Sequence, residues 1–294
     1  MSKKLVLLGD SIFDNQIYVT GVGPSVTEWL VNKMEGTGCE VENHAIDGDI
    51  IDGVFNQIAS IPEDATHLAL SVGGNDGLHY LGELMNRRCL LCNLIPAIIN
   101  FGSFIRSKYS RLLDALQEDG RPLMLCTIYH PHFDHPLMSI IARIGINIAA
   151  GVILSEGKRR GLPVIDLRKV FTQVRDYANP IEPGVPGGDK LSENLIHVLN
   201  SHDFAAGRHR VYHSTDYSVP ELSDWKVNES RYFPENCWSE RANGWQRPMK
   251  RIQTAQKKLK GGKKKGLRDK AENDPFRGAN QAQALRQRNR EGSF

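Results

Sequence analysis

The sequence predicts an α/β protein built on a parallel sheet. Two observations carry this reading. Short apolar runs alternate with longer stretches of helical period, as in chains that place helices against parallel strands. Most of those runs are followed directly by a polar or glycine-containing loop, and in such sheets the loops at the carboxyl ends of the strands gather at one edge.

Taken in order, Lys4 to Leu8 is the first strand, and a loop rich in Gly and Pro follows it. Ser25-Val26-Thr27-Glu28 is a capping box that opens a helix running to about Met34. The second strand is near Glu40 to Ala45, with Gly48 beyond it, and Ile50 to Ile61 reads as a short helix. His67 to Val72 is the third strand, ending in Gly73-Gly74-Asn75-Asp76. Apolar residues recur at helical spacing from Leu84 to Leu116, with Gly102 and Ser103 as a break, so one or two long helices are expected. Leu123 to Ile128 is the fourth strand and runs into a loop holding His130, His132 and His135. Pro136 to Arg160 is a helix apolar enough to pack on the sheet. Pro163 to Leu167 is a fifth strand, and Asp189 to Leu199 a last amphipathic helix. A five-stranded domain over residues 1–200 results.

Beyond it the texture changes. Over 201–245 aliphatic residues thin out while Tyr217, Trp225, Tyr232 and Trp238 stand among prolines and charges, a composition suited to an irregular extension anchored on or near the domain. Residues 246–294 hold fifteen Lys and Arg against four Asp and Glu, leaving 22 against 30 in the first 245. The net charge of +3 therefore hides an acidic body with a basic tail, and the tail reads as disordered. Its density fits nuclear targeting or weak, non-specific attraction to nucleic acid over 250–290. No aromatic stands between its lysines to stack bases.

The five cysteines are an odd number and form no disulfide framework, so a reducing, cytoplasmic setting is expected. The apolar run after Lys4 ends at Gly9-Asp10, too early for a signal peptide. No stretch is read as reaching the ~18 to 20 apolar residues of a membrane span, and no membrane partner is expected.

Ligands of open parallel sheets sit beyond the carboxyl ends of the strands. Ser11, Gly48, Asn75 with Asp76, and the histidine loop all fall there. A serine presented straight after a buried strand and a glycine is one way to build a nucleophile. Each feature also has a plain structural reading: Asp10 and Ser11 as a cap, Asn75 as a turn residue, Gly48 as a turn glycine. Asp14 and Asn15 either order the loop after Ser11 or contact substrate. The histidines read as a solvated loop, since their spacing matches no helical metal pair. Cys89 and Cys92 read as buried helix cysteines, and Asp166 as structural.

Gly9-Asp10-Ser11, Gly48 and Gly73-Gly74-Asn75-Asp76, in this order, resemble the blocks of the SGNH/GDSL hydrolase family over roughly residues 4 to 199. The longer forms Gly9-Asp10-Ser11-Ile12-Phe13-Asp14-Asn15 and Ala178-Asn179-Pro180-Ile181-Glu182-Pro183 resemble a subgroup of mostly bacterial members. The resemblance implies a three-layer α/β/α, flavodoxin-like fold and hydrolysis of a small-molecule ester. Ser11 would be the nucleophile, and its N–H, that of Gly48 and the Asn75 side chain would form the oxyanion hole. No cofactor is implied, because nucleophile, donors and water suffice.

The chain departs from the family at the last block, where Asp-x-x-His is usual and Asn179-Pro180-Ile181-Glu182 stands instead. Three accounts follow. Glu182 acts as base, its pKa lifted by burial. Alternatively His130, His132, His135 or His79 replaces the missing histidine in space. In the third, the pocket persists without efficient turnover, and the protein is a binding or scaffold protein.

Overall fold

The run Leu5 to Leu8 is wholly buried at the centre of β1 (Lys3–Gly9), and the rest of the sheet assembles on both sides of it. The structure is a computed structural model. It describes residues 3–85, 90–133 and 136–213, with side chains described except over 84–95. The described residues all belong to one compact unit, Met1–Lys226. Most of the aromatic extension, from residue 214 onward, and the whole basic tail lie outside the described residues.

After β1 come α1 (Gln16–Val19), α2 (Val26–Met34), β2 (Cys39–Asn43), α3 (Val54–Ile58), β3 (His67–Ser71), α4 (Gly74–Met85) and α5 (Leu90–Glu118). There follow β4 (Leu123–Cys126), α6 (Pro136–Arg160), β5 (Val164–Ile165), α7 (Leu167–Val170), β6 (Tyr177–Asn179), β7 (Glu182–Pro183), α8 (Val185–Ser201) and β8 (Val211–Tyr212). The central sheet is ordered β2-β1-β3-β4-β5-β8 with every pair parallel, while β6 and β7 form a separate antiparallel pair.

Three layers follow from the strand period. Leu5 and Leu7 face a core shared with Val26 and Leu30 of α2 and Leu191 and Leu195 of α8. Val6 and Leu8 face the other side, towards Val54 of α3, Ile105 and Leu112 of α5 and Ile153 of α6. Alternate residues of a strand point to opposite faces, and a parallel sheet needs both faces covered. The capping box forms as expected, Ser25 Oγ accepting from Glu28 N at 3.2 Å and Glu28 Oε2 from Ser25 N at 2.8 Å. The chain passes from β1 to β2 on one side and to β3 on the other, so strand order reverses between β1 and β3.

Three expectations are corrected. Among the described residues the sheet has six strands, because Val211–Tyr212 adds to the edge of β5 and Tyr212 is 4 % exposed. The domain therefore runs past Asn200. A two-residue strand has no legible period, yet it covers an edge that β5 would leave open. The second correction concerns Gly102, which breaks no helix: α5 runs through it, and a Cβ there would lie 3.3 Å from Ile148 Cγ2 of α6. That glycine serves close packing of two helices. Finally, α6 is long and apolar enough to cross a membrane by length and composition, with 22 % of its most apolar stretch buried. Its second half packs Ala149, Val152 and Ile153 into the core.

Candidate active site

The site grows from the way β1 ends. Gly9 has φ +134°, and a Cβ on it would lie 1.9 Å from the Ser71 carbonyl oxygen of β3, so only glycine lets the two strand ends run this close. The chain then coils tightly: Phe13 and Asp14 N–H both donate to Asp10 O at 3.1 Å, and Ile12 N–H donates to Asp10 Oδ1 at 3.1 Å. This turn sets Ser11, 7 % exposed, on the wall of a pocket.

Gly48 lies in the turn after β2. Asp49 N–H donates to Ile46 O at 3.0 Å, and Gly48, third of the four residues, has φ +83°, the value a type II turn requires at that position. No atom lies within 4 Å of where its Cβ would be, so conformation and not crowding selects glycine. Asp14 holds this turn, its Oδ2 accepting from Asp47 N at 2.9 Å, and Tyr18 OH donates to Asp47 Oδ1 at 2.9 Å. Asn75, at the start of α4, lines the pocket and donates through Nδ2 to Asp49 O at 2.8 Å. That bond couples Asn75 to the Gly48 turn and leaves its second amide hydrogen for another acceptor.

Glu182 arrives from across the sheet on the β6–β7 pair. Asn179 Oδ1 accepts from the N–H groups of Ile181 and Glu182, both at 3.0 Å, a local turn that short polar side chains favour. Tyr129 OH donates to Ile181 O at 2.7 Å. Asn15, fully buried, donates from Nδ2 to Pro183 O at 3.1 Å and accepts at Oδ1 from Val26 N at 2.9 Å. Asn15 and Asn179 thus support the hairpin that carries Glu182, and neither lines the pocket.

Burial pushes the Glu182 carboxyl well above the ordinary range; contact with the Ser11 hydroxyl pulls the other way, and Asp47, Asp10 and Asp14 add to the rise. Its Oε2 has no hydrogen-bond partner among the described residues. Burial also pushes Asp10 up to about 8, against the Ile12 N–H and helped by Asp76, Asp49 and Asp47. Asp76 is a support residue: its Oδ2 accepts from Ile51 N at 2.9 Å, and Lys108 reaches Oδ1 at 3.4 Å. Burial raises its pKa in spite of both contacts.

The structure therefore brings Asp10, Ser11, Asn75 and Glu182 to one pocket, with Gly48 one bonded step away. The rest of that pocket is almost wholly apolar, walled by Leu78 and Leu81 of α4, Ile98 and Phe101 of α5 and Ile141 and Ile146 of α6. His79, His130 and His132 do not line it. His130 turns to Asn147 Oδ1 at 3.0 Å, and His132 packs its ring edge-on to Tyr177. Burial lowers the pKa of both. His135 lies outside the described residues. Asp166 is structural as expected, bound to Thr127 Oγ1 at 3.0 Å and Arg168 at 2.8 Å.

Two supports are absent from the sequence reading. Gln57 of α3 clamps the end of β1, accepting from Gly9 N and donating to Gly9 O, both at 2.8 Å, and also donates to Asp49 Oδ2 at 2.8 Å. Its signal was a lone polar residue on the buried face it shares with Val54. Tyr129 carried no signal beyond ending an apolar run. The wiring makes Asn15→Ala costly: two buried backbone groups lose their partners, at ~1 to 3 kcal/mol each. A loss of roughly 2 to 5 kcal/mol in urea unfolding is expected, and a loss below ~1 kcal/mol would show Asn15 to be dispensable.

No family model matches the chain, and no curated protein matches it. Solved structures do share its fold. An extracellular lipase from Streptomyces rimosus is 17 % identical with TM-score 0.50, over 68 % of this chain and 100 % of that one. The lipase Lip_vut3 from a goat rumen metagenome is 19 % identical with TM-score 0.52, over 71 % of this chain and 99 % of that one. The chain thus has the three-layer α/β/α fold of these lipases.

Proposed function

We propose that the protein is a serine hydrolase that cleaves esters of apolar acyl groups, with Ser11 as nucleophile and Glu182 as general base. The observation that carries this reading is the Ser11 hydroxyl set against a buried carboxyl at the end of an apolar pocket. The names of the two lipases that share the fold support it.

In this reading ionised Glu182 takes the Ser11 proton as Oγ attacks the ester carbonyl carbon. The carbonyl π pair moves to oxygen, where the N–H groups of Ser11 and Gly48 and the free amide hydrogen of Asn75 receive it. One such preorganised donor is worth ~3 to 4 kcal/mol. The pair returns, the C–O bond breaks, and Glu182 passes its proton to the departing alcohol. Water then attacks acyl-Ser11, giving its proton to Glu182, and collapse releases the acid and re-protonates Ser11. The pocket wall of α4, α5 and α6 holds the acyl chain by burial, worth roughly 0.8 kcal/mol per methylene.

A second reading, a pocket that binds without turnover, is favoured by one observation: a carboxyl raised so far is neutral over part of the pH range and then takes no proton. Labelling with a fluorophosphonate separates the two. Near-stoichiometric modification at Ser11, faster at higher pH, is expected. No labelling between pH 7 and 9 would remove Ser11 as an activated nucleophile and leave the binding reading.

A further inference from the structure

The pocket is far larger than its serine end requires. Its volume is about 990 Å³ with the open mouth included, at the upper end of the ~300 to 1,000 Å³ of ordinary ligand sites. An acetyl group would leave most of it unfilled. Its direction is set by α4, whose first turn stands at the serine end: a Cβ on Gly74 would lie 3.9 Å from Asp10 Oδ2, and Asn75 follows. From there Gly77, Leu78 and Leu81 line the pocket in turn, on one face of the helix by their spacing. At ~1.5 Å per residue, Gly74 to Leu81 spans ~10 Å. An extended chain advances ~3.3 to 3.6 Å for every three bonds, so this length takes about nine bonds. Beyond Asn75, Tyr80 is the one polar side chain among the described residues that α4, α5 and α6 bring to the lining, and its hydroxyl donates to Ala97 O at 3.0 Å. A hydroxylated or charged acyl group would be desolvated there without a partner, and an apolar chain needs none.

Two glycines hold this space open. Gly77 of α4 and Gly145 of α6 both line the pocket and both face the ring of Phe101 on α5: Cβ atoms on them would lie 3.5 Å from its Cζ and 3.9 Å from its Cε1. Phe101 is 5 % exposed, and Tyr80 packs on it with ring centroids 5.1 Å apart, which holds the ring in place. A methyl group fits at either glycine, since both distances are ordinary contacts. Anything longer meets the ring or enters the pocket. Glycine also weakens a helix interior relative to alanine, and no other atom of the described residues lies within 4 Å of the Gly145 position, so packing does not require it. The shared ring places both glycines at one level of the pocket. Gly77 stands ~4.5 Å past Gly74 along α4, a depth that an extended chain reaches after about four bonds.

We propose that Gly77 and Gly145 set the length of acyl chain the pocket admits, and that it takes chains of about eight to ten carbons. This rests on the reading of Ser11 as the nucleophile at the pocket's end, which fixes where the chain starts.

The kcat/KM of the full-length protein for p-nitrophenyl esters from acetyl to dodecanoyl, below their solubility limits, tests it. Each buried methylene strengthens binding roughly fourfold, so wild type is expected to gain about tenfold or more from the acetyl to the octanoyl ester, and to lose again at dodecanoyl. Gly145→Leu is expected to lower the octanoyl-to-acetyl ratio about tenfold or more and Gly145→Ala about fourfold, the worth of one methylene. The alanine variant should keep or raise the thermal midpoint. Damage to the fold would lower both esters alike and leave the ratio in place. A preference of wild type for acetyl, or a chain-length profile unchanged in the two variants, would overturn the proposal. If no ester is hydrolysed, acetyl included, the Ser11 reading fails, and calorimetric binding of butan-1-ol and octan-1-ol then decides the chain-length claim. Octanol bound about tenfold or more tighter than butanol by wild type, with that margin lost in Gly145→Leu, supports it. Equal margins in the two proteins overturn it.

Discussion

Ser11→Ala combined with Glu182→Gln is expected to lower kcat/KM for a soluble ester no further than Ser11→Ala alone. If Glu182 works only by taking the Ser11 proton, it has nothing to do once the hydroxyl is gone. Residues that act as one unit show such non-additivity. Ser11→Ala should cost on the order of 10⁴-fold or more, and Glu182→Gln ~10² to 10⁴-fold, the range for general-base catalysis. The glutamine keeps the size and one carbonyl oxygen of the native side chain. It abolishes proton acceptance without opening a cavity, so its unfolding midpoint should stay near wild type. Losses that multiply in the double variant would show that the two side chains act separately and would end the Ser11–Glu182 assignment.

The same pair sets a pH dependence. Only ionised Glu182 accepts a proton, and burial raises its pKa. Activity should therefore climb with pH through a midpoint above the ordinary carboxylate range and then level off. Glu182→Gln should flatten that limb along with lowering it.

Much of this site was legible in the sequence because its parts are local. Gly9-Asp10-Ser11 and Gly73-Gly74-Asn75-Asp76 stand at ends of buried runs, and backbone geometry at those ends demands glycine with positive φ, as found at Gly9, Gly48 and Gly73. The capping box was legible for the same reason. What escaped was made by long-range contact. The Gln57 clamp on Gly9 spans 48 positions and the Asn15 bond to Pro183 spans 168, and neither leaves a local pattern. β8 is two residues long, below any period. Gly102 reads as a helix breaker from propensity alone, since the neighbour it admits, Ile148, lies on a different helix far along the chain. The choice among the three accounts, Glu182 as base, a substitute histidine or a pocket without turnover, was open in sequence because residue identity says nothing about where a side chain points. In the fold, His130 and His132 face Asn147 and Tyr177, while Glu182 faces the serine.

Asp10→Asn is expected to make the protein more stable at alkaline pH and to leave it nearly unchanged near pH 4. Asp10 titrates at about 8 in the fold against 3.8 for an ordinary aspartate. Between those values the folded chain holds a proton that the unfolded chain has released, so stability falls as pH rises across this window and flattens above it. Each pH unit of that window corresponds to ~1.4 kcal/mol, and relaxation and the neighbouring carboxylates reduce the total, so a gain of roughly 2 to 4 kcal/mol at pH 9 is the expected scale. Asparagine keeps an oxygen for the Ile12 N–H and loses only the buried charge. Urea unfolding of both proteins from pH 4 to 9 measures the difference, and curves that run parallel would show that Asp10 does not titrate in this window. Because ionised Glu182 is the form the proposed chemistry needs, catalysis and stability have opposite pH dependences here. Asp10→Asn should relax the conflict by removing the charge nearest in sequence to Ser11, and its activity limb should begin at lower pH than that of wild type.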